Sequence, residues 1–522
     1  MKQIISLAEA PELNFLKTQI CIIGSGPGGG IPAATLAKSG HQIILLEAGP
    51  LTSGGGALQL IRDTEISGVT DLPFMSTVQL GGSSNLWAGR IAPLEPVDFE
   101  YRDWVPCSGW PLSFETLPYG RALHMLTGAE AIPKIENEVP AQFATVLGAD
   151  VLDLKRFYWA EHAFNVARHL VDTVNSTAEK LRILYDSPVV ELVESKNGDI
   201  IEAANVRRPD GRVLRVEAKL FILAAGGIET PRILLSSRHK KDDGIGNQHD
   251  LVGRFLSTHP KADIATLKLS GRIRTGHPLF SDRPLGAGRT RLGLGFGAGA
   301  QRRLQLLNHY VQLTPFLEYR ASRVFEKLRI SRAIKSPFID TSKFARGLLP
   351  SLGLFAFEAI GRLSGLQGHA QIFTLRAFLD QYPNPANRIT LSGSYNKLGL
   401  PTADIAWTFT QDDRASVVRF LSALDAILQG ASIGRLYYQG LLEMDRDWPL
   451  TGIHSHYMGT TRMGETEKVG VVDKNCRVFG IKNLYVSGPS VFSAYGYANP
   501  FLTITALACR LADHVHKELS GI

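Results

Sequence analysis

The chain has 522 residues, 44% of them hydrophobic and 20% charged, with a formal net charge of +7. That length exceeds one simple core and fits two to four domains of ordinary globular composition. No uncharged apolar run of about 18 residues occurs, which argues against a membrane-spanning helix, and four cysteines without CxxC spacing argue against a thiolate zinc site or a disulfide framework.

The chain opens on MKQIISLAEAPELNFL, with acids where a secretion signal needs its apolar core, so a cytoplasmic location is expected. From Thr18 to Pro50 the pattern is strand, glycine turn, helix, strand, acid. Ile20 to Ile23 has strand length and β-branched character. It breaks into Gly24-Ser25-Gly26-Pro27-Gly28-Gly29, an Ala-rich helical stretch follows, and a second strand, QIILLE, ends at Glu47. Gly24 permits the tight turn, Gly26 admits a pyrophosphate to the backbone, and Gly29 lets helix pack on strand. The helix N-terminus then offers N–H groups to the phosphates. Glu47 is expected to accept from ribose hydroxyls and to repel a 2′-phosphate, with Pro27, Gly28 and Ala48 completing this set. Pro32 falls inside the helix, where it removes one hydrogen bond.

Further along, LFILAAGGIETPRILLSS (Leu220 to Ser237) reads as a strand ending in Ala224-Ala225-Gly226-Gly227, then a helix with Thr230 as cap and Pro231 as first residue. Between Arg302 and Arg346 lie ten Arg/Lys against three Asp/Glu, a surplus of seven that equals that of the whole chain. This confined surplus suits a solvated helical face, or contact with an anionic membrane surface or a partner, and no nucleic acid is expected. The stretch IHSHYMGTTRMG (Ile453 to Gly464) puts His454 and His456 on one face of a strand. No Cys, Asp or Glu completes a metal site nearby, so no metal is expected. A strand, a glycine-rich loop and a long helix close the chain, with Asn499-Pro500 reading as helix cap and first residue.

In order, the glycine turn with Glu47, LGGSSNLWAGR, SGWPLSFETLPY, LAAGGIETPRILL, DLVGRFLSTHP, NPANRITLS, HYMGTTRMG and NPFLTITALA resemble the glucose-methanol-choline (GMC) oxidoreductase family. The likeness runs from about residue 18 to 517 and thins between about 262 and 375. It implies an α/β plus α+β fold. A discontinuous Rossmann-like FAD-binding domain (1–100, 181–261 and 452–522) would carry a substrate domain of antiparallel sheet with covering helices (101–180 and 262–451).

The resemblance also implies chemistry. An alcohol, sugar or glycoside would be oxidised at CH–OH by hydride transfer to flavin N5, with His456 of His456-x-x-Gly459-Thr460 as base and Asn499 as its partner. FAD contacts are expected from the glycine turn, Glu47 and Ala48. Others are expected at Gly82, Ser83, Asn85, Leu86, Trp87 and Ala88, and at Val189, Ala225, Gly226, Gly488, Asn499 and Pro500. Members with covalent flavin carry a histidine where this chain has Leu86, so FAD is expected to bind non-covalently. Arg462 reads as a structural anchor. Aromatic residues such as Tyr310, Phe316, Phe357, Phe373 and Trp407, with Gln381 or Arg388, are candidates for the substrate cavity. The electron acceptor would be O2, a quinone or a redox protein. Two other readings use the same scaffold: a non-redox lyase, and a non-catalytic flavin-binding protein.

Overall fold

A computed structural model of the protein describes residues 3–52, 66–67, 77–133, 135, 139–148, 150–208, 210–238, 240, 242–316, 368–396, 399–438, 441, 448 and 450–521, with the side chains of 66–67 and 450–455 excepted. Of the basic segment 302–346, residues 317–346 lie outside the described residues, as does Phe357. Within the described part, Arg302 pairs with Glu100, and Arg303 donates to the Asp150 carbonyl at 2.7 Å. Both guanidinium groups thus have partners in the protein.

The first sheet begins with β1 (Ile4–Ser6) and β2 (Phe15–Ile23), then α1 (Pro27–Lys38) and β3 (Ile43–Leu46). Ile20, Ile22 and Leu45 are fully buried, each contributing roughly 1.5–3 kcal/mol relative to exposure. The chain then leaves this sheet through β4 (Arg90–Ile91), α2 (Tyr119–Thr127), β5 (Leu152–Trp159) and α3 (Val166–Ser176). It returns as β6 (Leu181–Tyr185), β7 (Val189–Glu194), β8 (Ile201–Arg207), β9 (Val213–Leu223) and α4 (Gly226–Ser236). Strand order is β1-β6-β3-β2-β9-β8-β7, parallel as far as β9 and antiparallel beyond it.

The second sheet is antiparallel. It holds β4 and β5 with β10 (Ser257–Arg274), β11 (Gly288–Phe296), β12 (Tyr310–Pro315), β13 (His369–Phe378), β14 (Gly434–Tyr437) and β15 (Leu450–Met458), and α5 (Gln411–Gly430) packs beside β14. Its order is β14-β10-β13-β12-β11-β5-β4, and β15 joins β10. Finally β16 (Leu484–Val486) pairs parallel with β9 in the first sheet, and α6 (Phe501–Ser520) packs on α1 and α2.

The chain therefore crosses between the sheets several times. β10 and β15 run unbroken through 261–262 and 451–452, and α3 packs on α1 although it lies within 101–180. Strand continuity carries the antiparallel ladder past those numbers.

Two helix starts differ from expectation. α4 begins at Gly226, with Ala225 at its cap position, so Thr230 and Pro231 lie inside it. The broken hydrogen bond at Pro231 is tolerated because the released Gly227 carbonyl accepts from Thr460 Oγ1 at 2.7 Å. At α6 the cap position is Pro500, in helical conformation, and no side chain caps the helix. Asn499 thus stands one residue outside.

At the first turn, a Cβ on Gly29 would lie 1.9 Å from the Gly24 carbonyl oxygen, whereas one on Gly26 would meet nothing within 4 Å. Gly29→Ala is therefore expected to destabilise the fold by about 1–3 kcal/mol through overpacking, and Gly26→Ala by no more than about 0.5 kcal/mol. Chemical unfolding of both variants checks this difference, and equal losses would contradict the packing role of Gly29.

Candidate active site

The glycine turn sits where four chain segments converge. A Cβ at Gly24 would lie 2.5 Å from the Ala224 carbonyl oxygen, one at Gly28 2.9 Å from Gly488 Cα, and one at Gly82 3.0 Å from Gly26 Cα. Gly26, Gly226 and Gly488 form the open side of this cradle, with no atom within 4 Å of where their Cβ atoms would be. Backbone closes on backbone at the rear and leaves room at the front, beside the N-terminus of α1. That arrangement fits a dinucleotide pyrophosphate.

Glu47 is buried, and one oxygen accepts from the Ser25 N–H at 3.0 Å and from the Ser25 hydroxyl; the other accepts from Gly49 N–H at 3.0 Å. Burial pushes its carboxyl up, and these hydrogen bonds oppose the shift. Ala48 follows it. Val189 is buried at the start of β7, just past Ser187, whose N–H donates to the Glu47 carbonyl at 2.8 Å.

The loop from Gly81 to Gly89 is tied from within. Asn85 Nδ2 donates to the Leu80 and Gly82 carbonyls, both at 2.9 Å, and its Oδ1 accepts from Asn165, the N-cap of α3, at 3.1 Å. Gly81 N–H donates to Ser25 Oγ at 2.9 Å, which joins the loop to the glycine turn. Asn85 therefore shapes the loop, while Ser83, Leu86 and Ala88 are exposed on it. Trp87 stacks on Phe501, with ring centroids 3.9 Å apart and planes 8° from parallel, and its indole donates to the Phe164 carbonyl. Trp87 thereby meets the first residue of α6, two positions beyond Asn499. The Asn499 amide makes no hydrogen bond with the described residues.

His456 lies on β15. Its Nδ1 stands 3.1 Å from Nδ1 of His259 on β10, the two rings meeting edge to face. His259 is 2% exposed, and its Nε2 lies 3.3 Å from the Tyr495 carbonyl oxygen. That carbonyl only accepts, so His259 Nε2 carries the proton. Burial pushes the His259 imidazole down to about 4 and holds it neutral. Its Nδ1 is then an acceptor, and His456 Nδ1 must be the donor. In its neutral form His456 consequently keeps its lone pair on Nε2.

Other groups hold this pair. Gln381 Oε1 accepts from Ser257 Oγ, Thr258 N–H and Trp407 Nε1 at 3.1–3.3 Å, which fixes the strand just before His259. Arg388 pairs with Asp250, away from the pair, and Phe373 and Trp407 are core residues. After His456 the chain turns at Gly459, whose Cβ would lie 2.4 Å from the Phe255 carbonyl oxygen. Arg462 donates to the Cys107 and Ser493 carbonyls and lies 4.5 Å from the Phe255 ring centroid, a structural anchor. His259 sits in the stretch DLVGRFLSTHP, but its role depends on strand register and was not assigned by sequence reading.

Residues 383–508 match the C-terminal domain family described as GMC oxidoreductase. The chain is 25% identical to 2-methyl-1,2-propanediol dehydrogenase of Mycolicibacterium austroafricanum over 97% of this chain and 96% of that one. It is 25% identical to paromamine 6'-oxidase of Streptomyces fradiae, covering 96% and 91% of the two chains. Among solved structures, pyridoxine 4-oxidase from Mesorbium loti superposes with a TM-score of 0.56 at 18% identity, covering 96% of this chain and 99% of that one. The C-terminal part of the chain thus carries a GMC oxidoreductase domain.

The neutral His259 has a consequence for stability. Its folded value of about 4 lies below the ordinary 6.5, so between these pH values the unfolded chain binds a proton that the folded chain does not. Stability is therefore expected to fall as pH drops from about 6.5 to about 4, by on the order of 3 kcal/mol from this group. Thermal melting across that range, compared with His259→Gln, checks it: the variant should lose part of the slope, and an unchanged slope would contradict a buried neutral His259.

Proposed function

We propose that the protein is an FAD-dependent oxidoreductase that oxidises a CH–OH group of an alcohol, sugar or glycoside, with His456 as base. The observation that carries this reading is the chain from Tyr495 carbonyl to His259 to His456, beside a cradle shaped for a dinucleotide. Relatives named for a diol and for paromamine support the substrate class.

Gly26 and the N-terminus of α1 would hold the dinucleotide at its pyrophosphate, and Glu47 would hold its ribose. When bound, FAD supplies the two-electron acceptor for the carbinol hydrogen. His456 Nε2 takes the hydroxyl proton, while its Nδ1–H stays on His259 Nδ1 and fixes the ring. Burial keeps His259 from taking a second proton, so it orients His456 rather than relaying. The Asn499 amide, not engaged as a helix cap, holds the alcohol oxygen as its negative charge grows. Leu86 has no nucleophilic atom for a link to the flavin ring, so the cofactor is held without a covalent bond.

Anaerobic mixing with a panel of alcohols and glycosides is expected to bleach the flavin. His456→Ala should slow that step by about 10²–10⁴-fold, and Asn499→Ala by about 10²–10³-fold. Wild-type bleaching rates in His456→Ala would sink the base assignment, and no bleaching with any member would sink the oxidoreductase reading. Acid precipitation of the holoenzyme should leave all yellow colour in the supernatant; flavin in the pellet would refute non-covalent binding.

A further inference from the structure

Arg90 carries a charge that the chemistry above does not use. It opens β4, directly after the loop that reaches the glycine turn. Its guanidinium carbon lies 3.8 Å from the Phe157 ring centroid, 4.7 Å from Phe378, 5.1 Å from Trp159 and 5.9 Å from Tyr310. One Nη donates to the Tyr310 hydroxyl, and Nε is buried without an acceptor. Among the described residues it forms no ion pair with a carboxylate. A guanidinium packed among rings is polarised and held in one plane, but rings do not neutralise it. If the position served only to fill space, an uncharged side chain would do so without the desolvation cost of a cation.

Its neighbours connect it to the segments that bear Asn499 and His259. Tyr310 packs on Tyr497, with centroids 4.9 Å apart, and Tyr497 precedes Asn499 by two residues. Phe378 also carries the Lys261 ammonium, 4.9 Å from its centroid. Lys261 follows His259 by two residues along an unshifted stretch of β10, so both lie on one face of that strand. The sheet face that bears the histidine pair therefore also bears two cations.

We propose that Arg90 is an anion subsite, and that the preferred substrate is an alcohol bearing a carboxylate or phosphate group. The anionic oxygens seat on the guanidinium while the hydroxyl reaches His456. This rests on the oxidoreductase reading above. It adds a selection rule: of two alcohols alike at the reacting carbon, the one with the anionic group binds more tightly.

The test uses holoenzyme and two substrate sets, glycerol with glycerate and glycerol 3-phosphate, and glucose with gluconate and glucose 6-phosphate. Anaerobic flavin reduction should saturate with a Kd at least about tenfold lower for an anionic member than for its neutral parent, rising with salt. The acid or the phosphate that gains most identifies the group. Arg90→Gln should abolish the difference within a set, and Arg90→Lys should keep part of it. A second readout needs no turnover: acetate, acetamide and inorganic phosphate are titrated against the visible spectrum of bound flavin. Saturable perturbation by an anion, absent with acetamide and lost in Arg90→Gln, supports the subsite. Equal Kd values across each set in the wild type, with no anion perturbation, overturn it whether or not the variants fold. If no alcohol reduces the flavin, the oxidoreductase reading fails, while the anion titration still decides Arg90.

Discussion

The strand that bears His456 is held to the nucleotide side by one close backbone approach. A Cβ at Gly227 would lie 2.1 Å from the Tyr457 carbonyl oxygen, so α4 and β15 meet there only because residue 227 has no side chain. In an unbroken helix the Gly227 carbonyl would accept from residue 231, but that residue is Pro231, which has no N–H. The released carbonyl takes the Thr460 hydroxyl instead, and Thr460 is fully buried. Left without that donor, the carbonyl would cost about 1–3 kcal/mol. Proline and threonine thus answer each other across the two sheets, and the interval from Tyr457 to Thr460 is clamped just beyond the proposed base.

Behind the histidine pair lies a buried polar network. Asn308 Nδ2 donates to both oxygens of Asp98 at 3.0 and 3.1 Å, and Asp380 accepts from the N–H groups of Asn308 and Gln381. Burial and the neighbouring Asp380 push Asp98 up to about 7. Arg102, 4.0 Å from Asp380, opposes that shift. Lys155, 1% exposed, pairs with Glu95, and Glu95 also accepts from Tyr497 at 2.8 Å. These charges compensate one another across elements far apart in sequence. The segment from Tyr495 to Tyr497 is thereby fixed from behind, and with it the carbonyl that orients His259.

The readable parts of the sequence were the local ones. The turn at Gly24–Gly29 and the acid at Glu47 form one contiguous unit, and their geometry follows from residues within about thirty positions. His456 and Asn499 were identified through a resemblance of short motifs, also local. His259 was not, because its contact with His456 spans 197 residues and depends on the register of β10 against β15. The helix starts misled for a related reason. Thr230-Pro231 and Asn499-Pro500 both carry good capping chemistry, but at Pro231 a distant hydroxyl removed the cost of a proline inside the helix. At Pro500 the proline itself took the cap position and left the asparagine outside. Asn85 carried the opposite lesson: a polar residue expected to meet the cofactor spends its side chain closing its own loop.

Backbone strain gathers at the same seam. Phe255 has φ of 63°, a left-handed conformation that costs a bulky residue on the order of 1–3 kcal/mol. Its surroundings over-determine it: its carbonyl accepts from the Tyr495 hydroxyl at 2.7 Å, and its ring lies against the Arg462 guanidinium. Two residues earlier, the Gly253 N–H donates to the Thr460 carbonyl at 2.8 Å. Thr460 therefore binds α4 through its hydroxyl and the segment leading into β10 through its carbonyl. The strained turn aims β10 so that His259, four residues on, meets His456 at hydrogen-bond distance. Relaxing Phe255 to an extended conformation would redirect Ser257 to His259 and withdraw the acceptor from His456 Nδ1. The strain is thus spent on the tautomer of His456.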